Sequence, residues 1–393
     1  MQTWKFLLYG ITGDLSKKKI LPALAQFAEL NHEKVNIELI GYSRSMPDKD
    51  LVKQLLDSNT TTGSTVITNI QYLQGDYADS KVFFDFIGGL KENERLVTYL
   101  AIPPELFLSI LKNSCPFSTR EIDLIIEKPF GRDLNEAQQM LKVMEACDLH
   151  QRIHFSDHYL FKTSTFVSKP EWSNFDEIKS KKIKKITLQA LENIGVKDRG
   201  GYYDQIGALK DIFVHLFSLL NLSLQSFQIG TDNIYNSFKV TGLELGQYKS
   251  YSEDVQIPNS QANTYFKVDS TLATSDSEIE VVFESGKKLG LKKTAIVTEY
   301  EDGSKLNWDV APENKIEAIS DNSEKSIGLA KNNKQDHTNL FEMLLDRNMS
   351  RFVDSKDIVT SWEMFDKISE FKENQNIEIK KYTDDTYPPE FLN

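Results

Sequence analysis

The sequence predicts an α/β amino-terminal domain on a parallel sheet, followed by an α+β domain with a large, mainly antiparallel sheet. Three observations carry this expectation. Over the first 156 positions, short apolar runs alternate with helical patterns of about 10–15 residues, the rhythm of βαβ units. After residue 157, strand-like stretches dominate around one long apolar helix. The chain has 393 residues, and at about 150 residues per domain this length suits two domains, 1–156 and 157–393.

The elements follow in order. Trp4–Tyr9 is a mostly apolar strand ending at a glycine. Pro22–Leu30 has helical spacing with proline near its start, where a missing N–H costs little. Val35–Gly41, Ile70–Leu73, Leu96–Ile102, Glu121–Glu127 and Arg152–Phe155 read as strands. Pro47–Leu56, Lys81–Leu90, Pro104–Lys112 and Leu134–Asp148 read as the helices between and after them. In the second domain, Ile186–Leu191, Phe227–Ile229, Ala262–Leu272, Ile279–Phe283, Thr294–Tyr300 and Lys305–Val310 read as strands, and Asp204–Leu222 as the long helix. The polar stretch Ser320–Asp336 reads as a mobile loop before a helical tail, Asn339–Leu345 and Ile358–Ile368. No internal repeat is visible.

Hydrophobic residues make up 40% of the chain and charged residues 26%, which excludes disordered, collagenous and disulfide-scaffold classes. No run approaches the roughly 18 apolar residues of a spanning helix. The richest stretch, Ile212–Leu224, carries His215 and two serines and reads as a buried helix. A net charge of −12 argues against nucleic acid or an anionic membrane as partner. Cys115 and Cys147 lie outside any CxxC pattern and read as reduced thiols of a cytoplasmic protein. The amino terminus lacks the pattern of a signal peptide.

Five motifs carry chemistry. Gly10-Ile-Thr-Gly13-Asp14-Leu15 joins the first strand to a helix; such glycines let the backbone approach a pyrophosphate at a helix N-terminus. This is the context of a Rossmann-type dinucleotide domain, and Lys17–Lys19 beside it would offset the protein's negative field. At the next strand end, Arg44 and Ser45 stand where an NAD-specific site places a carboxylate. A guanidinium there suits a 2′-phosphate, which favours NADP and leaves NAD possible. Tyr99-Leu-Ala101-Ile-Pro103-Pro104 forms a rigid turn after a buried strand. Glu127-Lys128-Pro129-Phe130-Gly131 sets a lysine at a strand's carboxyl end, where α/β domains bind ligands. Asp157-His158-Tyr159-Leu-Phe161-Lys162 lies at the domain junction.

Taken together, GxxGDLxKKK at Gly10–Lys19, YLAxPP at Tyr99–Pro104, EKPFGRDL at Glu127–Leu134 and DHYLxK at Asp157–Lys162 resemble glucose-6-phosphate dehydrogenase. The likeness continues through Gly195–Asp204, Gly207–Asp211, Gly246–Tyr248, Ser285–Leu289 and Lys292–Thr294. The resemblance implies a Rossmann-type NADP domain, a second domain with a nine-stranded sheet used in homodimerisation, and oxidation of C1 of a hexose 6-phosphate to a lactone. It assigns the cofactor to Gly10, Thr12, Gly13, Asp14, Leu15, Arg44, Ser45, Ala101 and Pro103. It gives Lys128 contact with both substrate and coenzyme, and gives the sugar phosphate to His158, Tyr159 and Lys162. Glu192 and Asp211 would bind sugar hydroxyls, with Lys287 and Lys292 as a basic pair closing the substrate site.

Loss of hydride from C1 requires removal of the hydroxyl proton, and a histidine is suited to that near neutral pH. The resemblance makes His215 the base and Asp157 its partner. No metal is expected, since the His, Asp and Cys positions lack ligand spacing. Four departures stand out. Asp211 and His215 are four apart where the family pattern has five, about 100° of helical rotation. Phe161 replaces a glycine beside the phosphate group, Glu284 an arginine, and the region after Lys293 is trimmed. The sequence therefore leaves two rivals: a sugar oxidoreductase of the Gfo/Idh/MocA kind or of changed specificity, and a catalytically silent binder of NADP or sugar phosphate.

Overall fold

A computed structural model describes residues 1–79, 81–117, 121–197, 200–230, 234–274, 277–320, 323–329 and 334–392. Strands β1 (Gln2–Tyr9), β2 (Val35–Ser43), β3 (Asn69–Gln74), β4 (Glu94–Leu100), β5 (Ile122–Glu127) and β6 (Ile153–Ser156) alternate with α1 (Leu21–Leu30), α2 (Lys49–Asp57), α3 (Lys81–Gly88), α4 (Phe107–Ser114) and α5 (Leu134–Ala146). There follow α6 (Lys169–Ser173), α7 (Asp176–Lys179), β7 (Ile183–Leu191), α8 (Gly200–Ser226), β8 (Lys239–Tyr248), α9 (Tyr251–Val255), β9 (Tyr265–Ala273) and β10 (Glu278–Gly286). The chain continues through β11 (Lys293–Tyr300), β12 (Lys305–Ala311), β13 (Lys315–Ser320), β14 (Ser323–Gly328), α10 (Asp336–Leu345), α11 (Ser355–Asn374) and β15 (Ile379–Tyr382).

The chain divides into two compact units, Met1–Lys162 with Asn332–Val359, and Thr163–Lys331 with Thr360–Asn393. The sequence reading had put all of 157–393 in the second. In the first unit the sheet runs β3-β2-β1-β4-β5-β6, parallel throughout. Every residue of β4 is buried, as expected of a strand covered on both faces. Asp48 and Asp133 cap α2 and α5, accepting from backbone N–H groups of the first turn.

Returning residues complete this unit. Helix α10 covers the face of the sheet formed by Phe6, Arg95, Tyr99, Asp123 and Glu127. Phe341 meets Phe6 edge-on at 5.3 Å and Tyr99 at 6.3 Å. Val353 then bridges to Phe155 of β6. The helical pattern after residue 339 was legible in the sequence, but its return to the parallel sheet was not, because periodicity carries no information about partner.

Among the described residues the second unit holds a sheet of nine strands, β14-β13-β12-β11-β7-β10-β9-β8-β15. Pairing is antiparallel except for β10 with β7 and β15 with β8. Helix α8 packs against β7, β9 and β10. By length and composition α8 contains a segment, Tyr203–Ser226, able to cross a membrane, contrary to the sequence reading. Most of it is buried within the protein, as in a core helix.

Three further expectations are corrected. Phe227–Ile229 is the closing turn of α8 rather than a strand: Phe227 N donates to Ser223 O and Ile229 N to Leu224 O. Part of the expected loop Ser320–Asp336 is the edge strand β14, paired with β13; its polar composition reflects a strand exposed at the sheet border. Residues 321–322 and 330–333 of that stretch lie outside the described residues. Finally, Cys115 and Cys147 form a disulfide with Cα atoms 5.0 Å apart, where reduced thiols were expected. Helices α4 and α5 pack side by side, which brings together two residues that are 32 apart in sequence.

Candidate active site

In the first unit, the carboxyl end of the parallel sheet gathers the glycine turn. β1 delivers the chain to Gly10, whose φ is +80°. A Cβ at Gly10 would lie 2.1 Å from the Ala101 carbonyl oxygen, so only glycine lets the turn pass this close to the end of β4. Gly13 N donates to Gly10 O at 2.9 Å, and Ser16 Oγ donates to the same oxygen at 2.8 Å. The helix then opens with a π turn, Ser16–Ile20, before α1. Thr12, Gly13 and Leu15 are half-buried, and Asp14 is exposed and paired with Lys18 at 2.7 Å. This tight backbone cradle at a helix start fits the pyrophosphate of a dinucleotide.

Arg44 and Ser45 follow β2 and are exposed. The Arg44 guanidinium stands 5.7 Å from the Tyr77 ring centre, and Ser43 Oγ donates to Ser45 O. Ala101 N donates to Tyr9 O at 3.1 Å, tying the end of β4 to the glycine turn. Pro103 precedes a single 3₁₀ turn, Pro104–Leu106. Lys128 follows β5 and is half-buried.

After β6, Asp157 is fully buried and its Oδ1 accepts from Tyr159 N at 3.0 Å, capping the turn His158–Phe161. The His158 and Tyr159 rings meet edge-on at 4.7 Å. Lys162 lies over Tyr159, with Nζ 5.6 Å from the ring centre, and 3.3 Å from Asp336 Oδ2. Phe161 was expected to add bulk beside the phosphate group; its ring is fully buried and packs on Phe352.

In the second unit, Glu192 follows β7 and Lys287 follows β10, and their side chains are joined directly. Backbone bonds lock the two segments: Glu192 N to Gly286 O, Lys287 N to Thr264 O, and Leu289 N to Glu192 O. Lys287 Nζ is 5.5 Å from the centre of the Tyr203 ring. The Tyr203 hydroxyl is buried with no hydrogen-bond partner among the described residues. Burial, then the charges of Asp211 and Glu192, hold its pKa well above the usual phenol value. Glu192, Asp211 and Lys287 are thus gathered around one buried tyrosine. Sequence reasoning quoted Tyr203 within its motif but gave it no role. Lys292 is exposed just before β11, while Asp198 and Arg199 lie outside the described residues.

Helix α8 breaks at Gly207, with φ 66° and ψ 172°. Asn263 starts the next turn: its carbonyl accepts from Ala208 N at 2.7 Å and its Oδ1 from Leu209 N at 2.8 Å. Among the described residues Gly207 is the only non-helical one in α8, so Asp211 and the buried His215 remain four apart, some 40° around the axis. No bulge restores the five-residue register of the family pattern. Glu284, in place of the expected arginine, is buried on β10 and accepts from Gln189 Nε2 at 2.8 Å and from the Tyr265 and Tyr387 hydroxyls at 3.0 Å.

Residues 7–165 match the family described as "Glucose-6-phosphate dehydrogenase, NAD binding domain". Residues 173–340 match "Glucose-6-phosphate dehydrogenase, C-terminal domain". The cytoplasmic glucose-6-phosphate 1-dehydrogenase 5 of Arabidopsis thaliana is 28% identical over 75% of this chain and 66% of its own length. The chain spans 60–66% of the first curated relatives it matches. Among solved structures, a glucose-6-phosphate dehydrogenase in complex with its substrate glucose 6-phosphate superposes with TM-score 0.79 at 21% identity, over 98% of this chain and 95% of that one. A Gfo/Idh/MocA family oxidoreductase from Vibrio cholerae gives 0.57 at 12%, over 96% and 99%, so the broader fold is shared with that rival. The two family matches together cover most of the chain, which belongs to the glucose-6-phosphate dehydrogenase family.

Proposed function

We propose that this chain oxidises C1 of a hexose 6-phosphate, glucose 6-phosphate or a close relative, to the lactone with NADP as acceptor. The reading rests on the family match across both units together with the glycine cradle at Gly10. The nicotinamide supplies the hydride acceptor; the residues of the chain bind, orient and take the proton. Gly10, Thr12, Gly13, Asp14, Leu15, Ala101 and Pro103 hold the dinucleotide, and Arg44 with Ser45 meets the 2′-phosphate. Lys128 orients the C1 hydroxyl, and His158, Tyr159, Lys162, Lys287 and Lys292 hold the phosphate. Glu192 and Asp211 accept from sugar hydroxyls.

His215 takes the C1 hydroxyl proton as hydride leaves C1 and the C1–O bond becomes a carbonyl. Asp157 orients the ring and stabilises the imidazolium that forms. A positioned base of this kind contributes roughly 10²–10⁴ in rate. Homodimerisation through the nine-stranded sheet and a cytoplasmic location belong to the same proposal.

The test is initial-rate measurement with a panel of hexose 6-phosphates against NADP and NAD. Turnover of glucose 6-phosphate with NADP, lost in Lys128→Ala, supports the reading. Arg44→Ala should raise the KM for NADP more than that for NAD. The four-residue spacing of Asp211 and His215 favours one alternative, a silent binder. Tight NADP binding without turnover of any sugar phosphate would establish it.

A further inference from the structure

The first turn of α10 touches two motifs. Asp336 pairs with Lys162, and Asn339 Nδ2 donates to the Phe161 carbonyl at 2.8 Å, so both contacts fall on the 157–162 turn. His337 reaches the other motif: its Nε2 lies 2.7 Å from Glu127 Oε1. Glu127 is the last residue of β5 and precedes Lys128. The same carboxylate oxygen accepts from the Tyr99 hydroxyl of β4. His337 is buried, 4% exposed. Neither the sequence motifs nor the proposed chemistry gives it a task.

Register explains the convergence. Tyr99 pairs with Ile125, so Tyr99 and Glu127 point to the same face of the sheet, two residues apart along it. Helix α10 covers that face, its first turn with His337 over the carboxyl ends of the strands and its last turn with Leu344 over their amino ends, where the Leu344 carbonyl accepts from Arg95. Glu127 is therefore held from two sides, by a strand neighbour and by a helix arriving from more than two hundred residues away. The turn carrying Lys162 is held by the same helical turn. Helix α10 is itself fixed there: Gln335 N donates to Gln26 Oε1 at 2.9 Å, and Thr338 Oγ1 donates to the same oxygen at 2.8 Å.

We infer that His337 is a positioning residue: through Glu127 it sets the direction of Lys128, while Asp336 and Asn339 set the Lys162 turn, so that one helical turn fixes both lysines. The inference rests on the reading of Lys128 and Lys162 as substrate lysines. A misplacement of about 1 Å at such a group can cost 10²-fold in rate.

The test compares His337→Phe, which keeps the ring volume and removes the donor, with His337→Gln, which keeps a donor. Thermal melts establish that both are folded. His337→Phe should raise the KM for glucose 6-phosphate roughly ten- to hundredfold with a smaller change in NADP affinity, and His337→Gln should recover most of it. A second readout needs no turnover. The enzyme is reductively methylated with ¹³C-formaldehyde, and Lys128→Arg assigns the Lys128 resonance. That resonance should move in His337→Phe and return in His337→Gln. If wild type lacks turnover, the functional reading fails while the resonance still reports on His337. An unmoved resonance in His337→Phe, whether or not the melting temperature falls, would overturn the inference and leave His337 a packing residue.

Discussion

The two ends of the β4–β5–β6 ribbon carry similar parts in different settings. At the amino end, Asp123 pairs with Arg95 and with His154 Nε2 at 2.6 Å. At the carboxyl end, Glu127 is bonded to Tyr99 and His337. Each cluster is a carboxylate, buried at Asp123 and half-buried at Glu127, with a histidine from another element, and each is tied to α10. Among the described residues only the amino-end cluster has arginines: Arg347, 3.8 Å from Asp123, and the buried Arg95. That guanidinium is closed in by Trp4, 5.2 Å from its ring, and by the Leu344 carbonyl. Burial alone would raise both carboxyls, but hydrogen bonds from His154 and Arg95 draw Asp123 down to about 2, and those from His337 and Tyr99 leave Glu127 below its usual range. The amino end is a charge cluster packed into the core; at the carboxyl end Glu127 directly precedes Lys128, the lysine proposed above to bind substrate. On that proposal, the same parts serve holding or working according to which end of a parallel strand they occupy.

The two ends should differ most in what loss of the carboxylate costs. Asp123→Ala strands Arg95, whose Nη2 already has no hydrogen-bond partner among the described residues, and should cost about 3–5 kcal/mol of stability. Denaturant titration would show it, with KM values of the folded fraction unchanged. The double replacement Arg95→Met, Asp123→Leu should recover most of that loss; a persistent deficit would mean that the cluster does more than neutralise itself. At the other end, Glu127→Gln should cost less, about 1–3 kcal/mol, and should raise the substrate KM. Equal KM effects from both carboxylates would erase the distinction.

Acid titration reads the amino-end carboxylate directly. Asp123 has a folded pKa below its unfolded value, so its stabilisation is complete above about 4 and is lost as pH falls toward about 2. Melting temperature should decline across that window in wild type and less steeply in Asp123→Asn. A smaller effect is expected away from both ends. Gly207→Ala forces a side chain into φ +66° with its Cβ 2.7 Å from Asn263, a strain of about 1–3 kcal/mol. Asn263→Ala removes only the side-chain cap and should cost about 1 kcal/mol.

What the sequence revealed divides along physical lines. The βαβ order was legible because both periodicities are local, and the glycine turn because its φ and close approach demand glycine. The Gly207 break lay within a quoted motif, yet an apolar helical pattern passes through it without interruption. The return of α10 to the parallel sheet, the Glu127–His337 contact and the Cys115–Cys147 bond all depend on partners distant in sequence, which spacing cannot reveal. β14 was hidden because an edge strand exposed on both faces has the composition of a loop.

On the proposed function, His215 is the proton acceptor despite its four-residue spacing from Asp211. The most direct test of that role is the initial rate of NADP reduction by glucose 6-phosphate in wild type and His215→Asn, with NADP affinity measured alongside. The expected result is a fall of at least roughly a hundredfold in kcat at near-unchanged NADP affinity. Turnover at the wild-type rate in His215→Asn would make that imidazole a core side chain with no part in the chemistry.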